Sequence, residues 1–166
     1  TASTPIFDVA SGANLKLGAV GGAYAMTKQG AGQMTLATTS TRTTAAGITN
    51  LVAGTLRLEI ANALNTLATA PLNISGGKLS LGVTAGATYG GTATTVSGNA
   101  TIESDRLTAG AGVVQTLGTL SIGNQTLSIT GGSNVTSGTA GLTFGTTTLT
   151  ASTPIFDVAS GANLKL

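Results

Sequence analysis

The sequence has no cysteine, no histidine and no tryptophan. Without cysteine no disulfide staples the fold, and without histidine a nucleophile–histidine pair is impossible. Charged residues are only 7% and aromatics 3%, whereas ordinary globular domains carry about 25% charge. A helix-rich enzyme needs Lys and Glu on its exposed faces, so that class is disfavoured. Charge-driven disorder is disfavoured for the same reason. No apolar run approaches the roughly 18 residues of a membrane helix. Net charge is +2, and the cations Lys16, Lys28, Arg42, Arg57, Lys78 and Arg106 are scattered. Nucleic-acid binding wants clustered cations beside aromatic platforms, which argues against such a partner.

Hydrophobic residues still make up 41% of the 166 positions, enough for a continuous core. With so few aromatics, Ala, Val, Leu and Ile must fill it. Thr and Ser crowd the remainder, with 25 Gly among them. Thr favours strands and Gly punctuates them, so the chain reads as all-β.

A short period runs through it. Gly32, Gly54, Gly76 and Gly98 recur at one constant interval, 54 − 32 = 22. Each precedes an alternating pair: Met34-Thr35-Leu36, Leu56-Arg57-Leu58, Leu79-Ser80-Leu81, Ala100-Thr101-Ile102. A second pair often precedes the corner, as in Phe7-Asp8-Val9, Leu72-Asn73-Ile74 and Leu120-Ser121-Ile122. Alternation puts both apolar side chains of a pair on one face of a strand. Gly turns a corner through φ > 0 without steric cost. Hairpins would favour Asn-Gly or Asp-Gly loops, and neither dipeptide occurs. The pattern therefore predicts a parallel β-helix (β-solenoid) of about seven coils near 21 residues each. Its outward column is expected to read Lys16, Thr35, Arg57, Ser80, Thr101, Ser128, which keeps the two cations apart.

Lys28-Gln29-Gly30-Ala31-Gly32-Gln33-Met34-Thr35-Leu36, followed by Gly47-Ile48-Thr49-Asn50-Leu51-Val52-Ala53-Gly54-Thr55-Leu56-Arg57-Leu58, resembles the autotransporter-associated β-strand repeat. The match covers about thirty residues and departs at Thr38 to Ala46, where that family usually has Asn, Tyr and Gly. The resemblance implies a bacterial exported protein, extracellular or at the cell surface. It also implies a right-handed coil, in line with the crossover rule. It brings no catalytic residue.

Glu103-Ser104-Asp105-Arg106 is the one dense polar cluster. Two carboxylates on one strand face could serve a glycosidase or a Ca²⁺ site. The favoured reading is an exposed strand end where Arg106 offsets the repulsion between Glu103 and Asp105. None of the Gly pairs Gly21-Gly22, Gly76-Gly77, Gly90-Gly91 and Gly131-Gly132 is followed by the Asp of a calcium-binding nonapeptide. The Asn-x-Ser/Thr triplets at Asn73, Asn99, Asn124 and Asn134 read as chance in so Thr-rich a chain. No catalytic, cofactor-binding or metal-ligating residue is assigned, and no cofactor is expected.

Residues 1–17 recur without change as residues 150–166, an offset of 150 − 1 = 149. The expectation is one tandem-repeat unit over 1–149 and the start of the next over 150–166. Seven coils at about 4.8 Å would give a unit rise of roughly 34 Å. The expected partner is therefore self, either the next repeat in the same chain or a copy stacked end to end by strand addition, with lateral packing of rods as a further self-contact. The expected role is structural, a filament or stalk. The alternative is an adhesin or autotransporter passenger presenting a binding tip on the rod.

Overall fold

The computed structural model of the chain describes residues 4–42, 47–64, 71–89 and 92–166. These form a β-solenoid of about six turns, with strands and turns but no helix among the described residues. Its first face stacks β1 (Ile6–Asp8), β4 (Met26–Gln29), β7 (Thr49–Leu51), β9 (Leu72–Ile74), β11 (Thr94–Val96), β15 (Leu120–Ile122) and β19 (Thr147–Leu149). Its second face stacks β2 (Asn14–Leu17), β5 (Gln33–Leu36), β8 (Thr55–Leu58), β10 (Lys78–Gly82), β12 (Ala100–Asp105), β16 (Thr126–Gly131) and β20 (Ile155–Val158). Among the described residues the third side carries shorter ladders. It pairs β3 (Gly21–Gly22) with β6 (Thr41–Arg42) at one end. At the other it pairs β13 (Gly110–Ala111) with β17 (Val135–Ser137), and β14 (Val114–Thr116) with β18 (Ala140–Thr143) and β21 (Ala162–Lys165). Every pairing is parallel.

Each coil lies in register on the next, so like stacks on like. The central inward column of the second face reads Leu15, Met34, Leu56, Leu79, Ile102, Ile129, Val158. Beside it runs Leu17, Leu36, Leu58, Leu81, Ser104, Gly131. The side chains in this second column shrink at its end because β18 approaches there. A Cβ on Gly131 would stand 3.2 Å from Ala140 Cβ, and Ser104 donates to Val113 O at 3.3 Å.

Coil length is not constant. The step from Leu15 to its stacked partner Met34 is 34 − 15 = 19, and the step from Ile129 to Val158 is 158 − 129 = 29. The added length falls after the second-face strand, where β13 with β14, and then β17 with β18, build out the third side. The glycine count therefore overstates the number of turns. All seven first-face strands lie within residues 1–149, but the seventh second-face strand is β20, inside the repeated segment.

Two other expectations change. The outward column begins Lys16, Thr35, Arg57, Ser80 as expected, then continues with Glu103 and Thr130. Thr101 and Ser128 stand in the adjacent outward column, after Lys78. A two-residue slip keeps every side chain on its own face, so alternation alone does not distinguish the two registers of β12. The corner glycines also differ. Of the evenly spaced series only Gly54 has positive φ, at 69°. Gly32 and Gly98 are needed for close approach: a Cβ there would collide with the Ala10 and Ser75 carbonyl oxygens of the coil beneath. The pair Gly90-Gly91 and residues 43–46 of the expected departure from the repeat lie outside the described residues.

Tyr89 is buried, and its hydroxyl has no hydrogen-bond partner among the described residues. Burial pushes its ionisation well above the ordinary tyrosine value, with Arg57 a smaller opposing influence. The folded state therefore keeps this proton where the unfolded chain loses it, so stability is full below about pH 10 and falls above it. Lys28 acts in the opposite sense in the same alkaline range. Desolvation lowers its pKa against a smaller opposing pull from Asp8, so its penalty is relieved as pH rises toward 10.5. Tyr89→Phe isolates the first effect. It should raise stability by roughly 1 kcal/mol at pH 7, because an unsatisfied buried hydroxyl is removed. It should also flatten the decline between pH 10 and 11, both read by urea titration at each pH. Leu56, fully buried in its column, provides the test of facing. Leu56→Ala should cost about 3 kcal/mol, and Leu56→Asp should prevent a cooperative thermal transition. Wild-type melting of Leu56→Asp would show the strand reversed.

Candidate functional site: the charged ladder of the second face

The polar cluster singled out in the sequence sits where β12 leaves the second face. Glu103 faces outward in the stacked column, directly after Ser80. Ser80 Oγ donates to Glu103 Oε1 at 2.8 Å, and Lys78 Nζ donates to Oε2 at 2.8 Å. Asp105 is only 2% exposed. Its Oδ2 accepts from Arg57 Nη1 at 2.7 Å, and its Oδ1 accepts from the Asn134 backbone N–H at 3.0 Å. Arg57 also donates to Ser80 Oγ at 2.9 Å and to Arg106 O at 2.9 Å. Its Nε lies 3.7 Å from Glu59, which takes Lys16 Nζ at 2.7 Å.

The cations that answer the two carboxylates are thus Arg57 and Lys78, brought by stacking from earlier coils. Arg106, their neighbour in sequence, instead donates to Thr108 O and Ala111 O at 3.1 and 2.9 Å. Asp105 is not at an exposed strand end either. It is buried because the turn after β16 folds over it, so closely that a Cβ on Gly132 would collide with its carboxyl carbon.

This arrangement is an interlock across coils. Both carboxylates already hold cations and hydrogen bonds. Among the described residues no three His, Cys, Asp or Glu side chains come close enough to hold a metal ion. The surface depressions are open grooves between coils. One of them, on the third side, is lined by Val114, Gly141, Leu142, Asn163 and Lys165.

Two further cations were read in the sequence as scattered charge. Lys28 occupies an inward position, between Phe7 and Leu51 in the first-face column. Its ammonium donates to the carbonyls of Gln29, Gly30 and Ala53 at 2.7, 2.8 and 3.0 Å. Arg42, fully buried, donates to Thr49 Oγ1 and to the carbonyls of Ile48 and Tyr24 at 2.7, 2.7 and 3.2 Å. The signal for Lys28 was the Lys-Gln-Gly run. Gly30, with φ of 74°, turns the corner carbonyls back toward the lysine two residues earlier. Arg42 carried no comparable sequence signal.

The chain matches no protein-family model, no curated protein and no solved structure. Its class, from the fold alone, is the β-solenoids.

The two carboxylates should separate in a stability assay. Asp105→Ala leaves Arg57 without its buried partner and should cost about 3 kcal/mol. Glu103→Gln, facing a half-exposed Lys78, should cost less than about 1 kcal/mol. Equal losses in chemical denaturation would contradict the interlock.

Proposed function

We propose that the chain is a structural segment of an extracellular β-solenoid filament or stalk and carries no catalysis. The observation that supports this best is the pair of seven-stranded parallel ladders running the length of the described coils. Such ladders join every coil to the next through backbone hydrogen bonds, for example Lys78 N to Gly54 O at 2.8 Å and Thr101 N to Gly77 O at 3.0 Å. The side-chain chemistry serves the same end. The charged groups of the second face bind coil to coil. The identical segments 1–17 and 150–166 support a unit spanning 1–149 that follows itself along the rod. The likeness of residues 28–58 to the autotransporter-associated β-strand repeat supports export to the bacterial surface.

Electron microscopy and fibre diffraction of the native assembly test this reading. Thin rods with a strong axial reflection near 4.8 Å, about the spacing of stacked strands, are expected. Short particles ending in a distinct globular tip would transfer the proposal to an adhesin that presents a binding domain on the same coil.

A further inference from the structure

The two copies of the repeated segment occupy different faces. In the first copy, β1 lies on the first face and β2 on the second. In the second copy, the same Ile-Phe-Asp strand, β20, lies on the second face, and the same Asn-Leu-Lys strand, β21, lies on the third side. The local fold is unchanged. Ala13 N bonds Ala10 O at 3.0 Å, Ala162 N bonds Ala159 O at 3.0 Å, and Gly12 and Gly161 have φ of 75° and 78°. The segment has moved bodily by one face.

We infer that successive units, each equivalent to residues 1–149, join after six turns and one face, so that each unit is rotated by one face relative to the last. The inference rests on the repeating-unit reading above, and the partner surface it defines is a second copy of this unit. The junction is already present in the chain. The first copy is paired on one edge: β1 to β4, and β2 to β5. The second copy is paired on the opposite edge: β20 to β16, and β21 to β18. Superposing the copies gives each of its two strands both neighbours, and the columns through them run on without conflict. Leu127 and Phe156, equivalent to Phe7, lead to Lys28 and Leu51. Leu142 and Leu164, equivalent to Leu15, lead to Met34 and Leu56. Thr143 and Lys165, equivalent to Lys16, lead to Thr35, so a threonine flanks that lysine on each side. Asp8 accepts from Gln29 on one side at 2.9 Å, and its equivalent Asp157 accepts from Ser128 on the other at 3.5 Å.

The geometry has a measurable consequence. Six and a third turns at about 4.8 Å give a rise of about 30 Å per unit, with equivalent faces recurring every third unit, about 90 Å. This is shorter than the rise expected from seven whole coils.

Two measurements test it. The first uses the 166-residue chain, which has no native thiol to compete. Thr126 pairs in register with Ile155 on the second face, whereas the column of Ile6 on the first face holds Ser121 one coil before its last member, Thr148. The double variant Thr126→Cys with Ile155→Cys should oxidise to a disulfide readily, because directly paired strands satisfy its reach. Ser121→Cys with Ile155→Cys should stay reduced. The reverse result would overturn the face shift. The second is helical reconstruction of the native rods by electron cryomicroscopy. Residues 4–17 found on the first, second and third faces of successive units would establish the rotation. The same residues on one face in every unit would overturn it while leaving the filament intact. An absence of rods would overturn the repeating-unit reading and this inference together.

Discussion

Parallel in-register stacking is the constraint on which the rest of this molecule depends. Each residue has its equivalent about 4.8 Å above and below it. An inward position must therefore tolerate a copy of its own chemistry as its nearest neighbour, and so must an outward one. The inward solution is a run of Leu, Ile and Met, of which Met34, Leu56, Leu79, Ile102 and Ile129 form one unbroken column. On the outside, neutral residues interleave the charges. The first face carries Thr27, Asn50, Asn73, Thr95, Ser121 and Thr148 in one column. Asn73 Nδ2 donates to Asn50 Oδ1 at 3.1 Å along that column. A chain with 7% charge is what such a ladder permits, since like charges in direct register repel.

Corners are where the ladder fails, because backbone carbonyls there turn out of register. An orphaned buried carbonyl is costly, and the scattered cations answer that cost. Lys28 takes three corner carbonyls, Arg42 two, and Arg57 one in addition to its pairing with Asp105, while Arg106 takes two at an exposed turn. The excess of basic over acidic residues thus has a structural cause. A guanidinium or ammonium offers several donors from one side chain, and a carboxylate offers none. Glycine handles the other difficulty of the corner. It lets one coil settle on the carbonyls of the coil below, as Gly32 does on Ala10 and Gly98 on Ser75.

The architecture was legible in the sequence because two-residue alternation and evenly spaced glycine are independent signals that agree. Alternation could not reveal register in β12. Ala100, Ile102 and Ser104 are all buried and all alternate, so a slip by two costs nothing in the pattern. That slip hid the meeting of Glu103 with Ser80. The Arg57–Asp105 pair was invisible for a different reason. Its partners are 48 residues apart and converge only because two coils separate them vertically. The burial of Tyr89 and Lys28 was not legible because their environments are set by stacked neighbours. Only the Lys-Gln-Gly run gave one of them a local signature.

The repeated segment shows what decides position in such a coil. Its sequence is the same at both sites, and its internal turn is the same, yet it lies on different faces. Sequence within the segment therefore specifies a strand, a corner and a strand; it does not specify which face they join. The number of corners already turned sets the face, and the strands beneath accept whatever alternation arrives in phase. Leu127, Ile129 and Leu142 receive the second copy as Lys28 and Met34 adjoin the first. A return to the starting face would take a whole number of coils, whereas the chain between the two copies turns one corner more than six coils require. The longer excursions at β13–β14 and β17–β18 fill out the third side without adding a face. Trimming such a loop would shorten a coil without changing how many faces the chain has visited, so loop length and phase are separable properties of this fold.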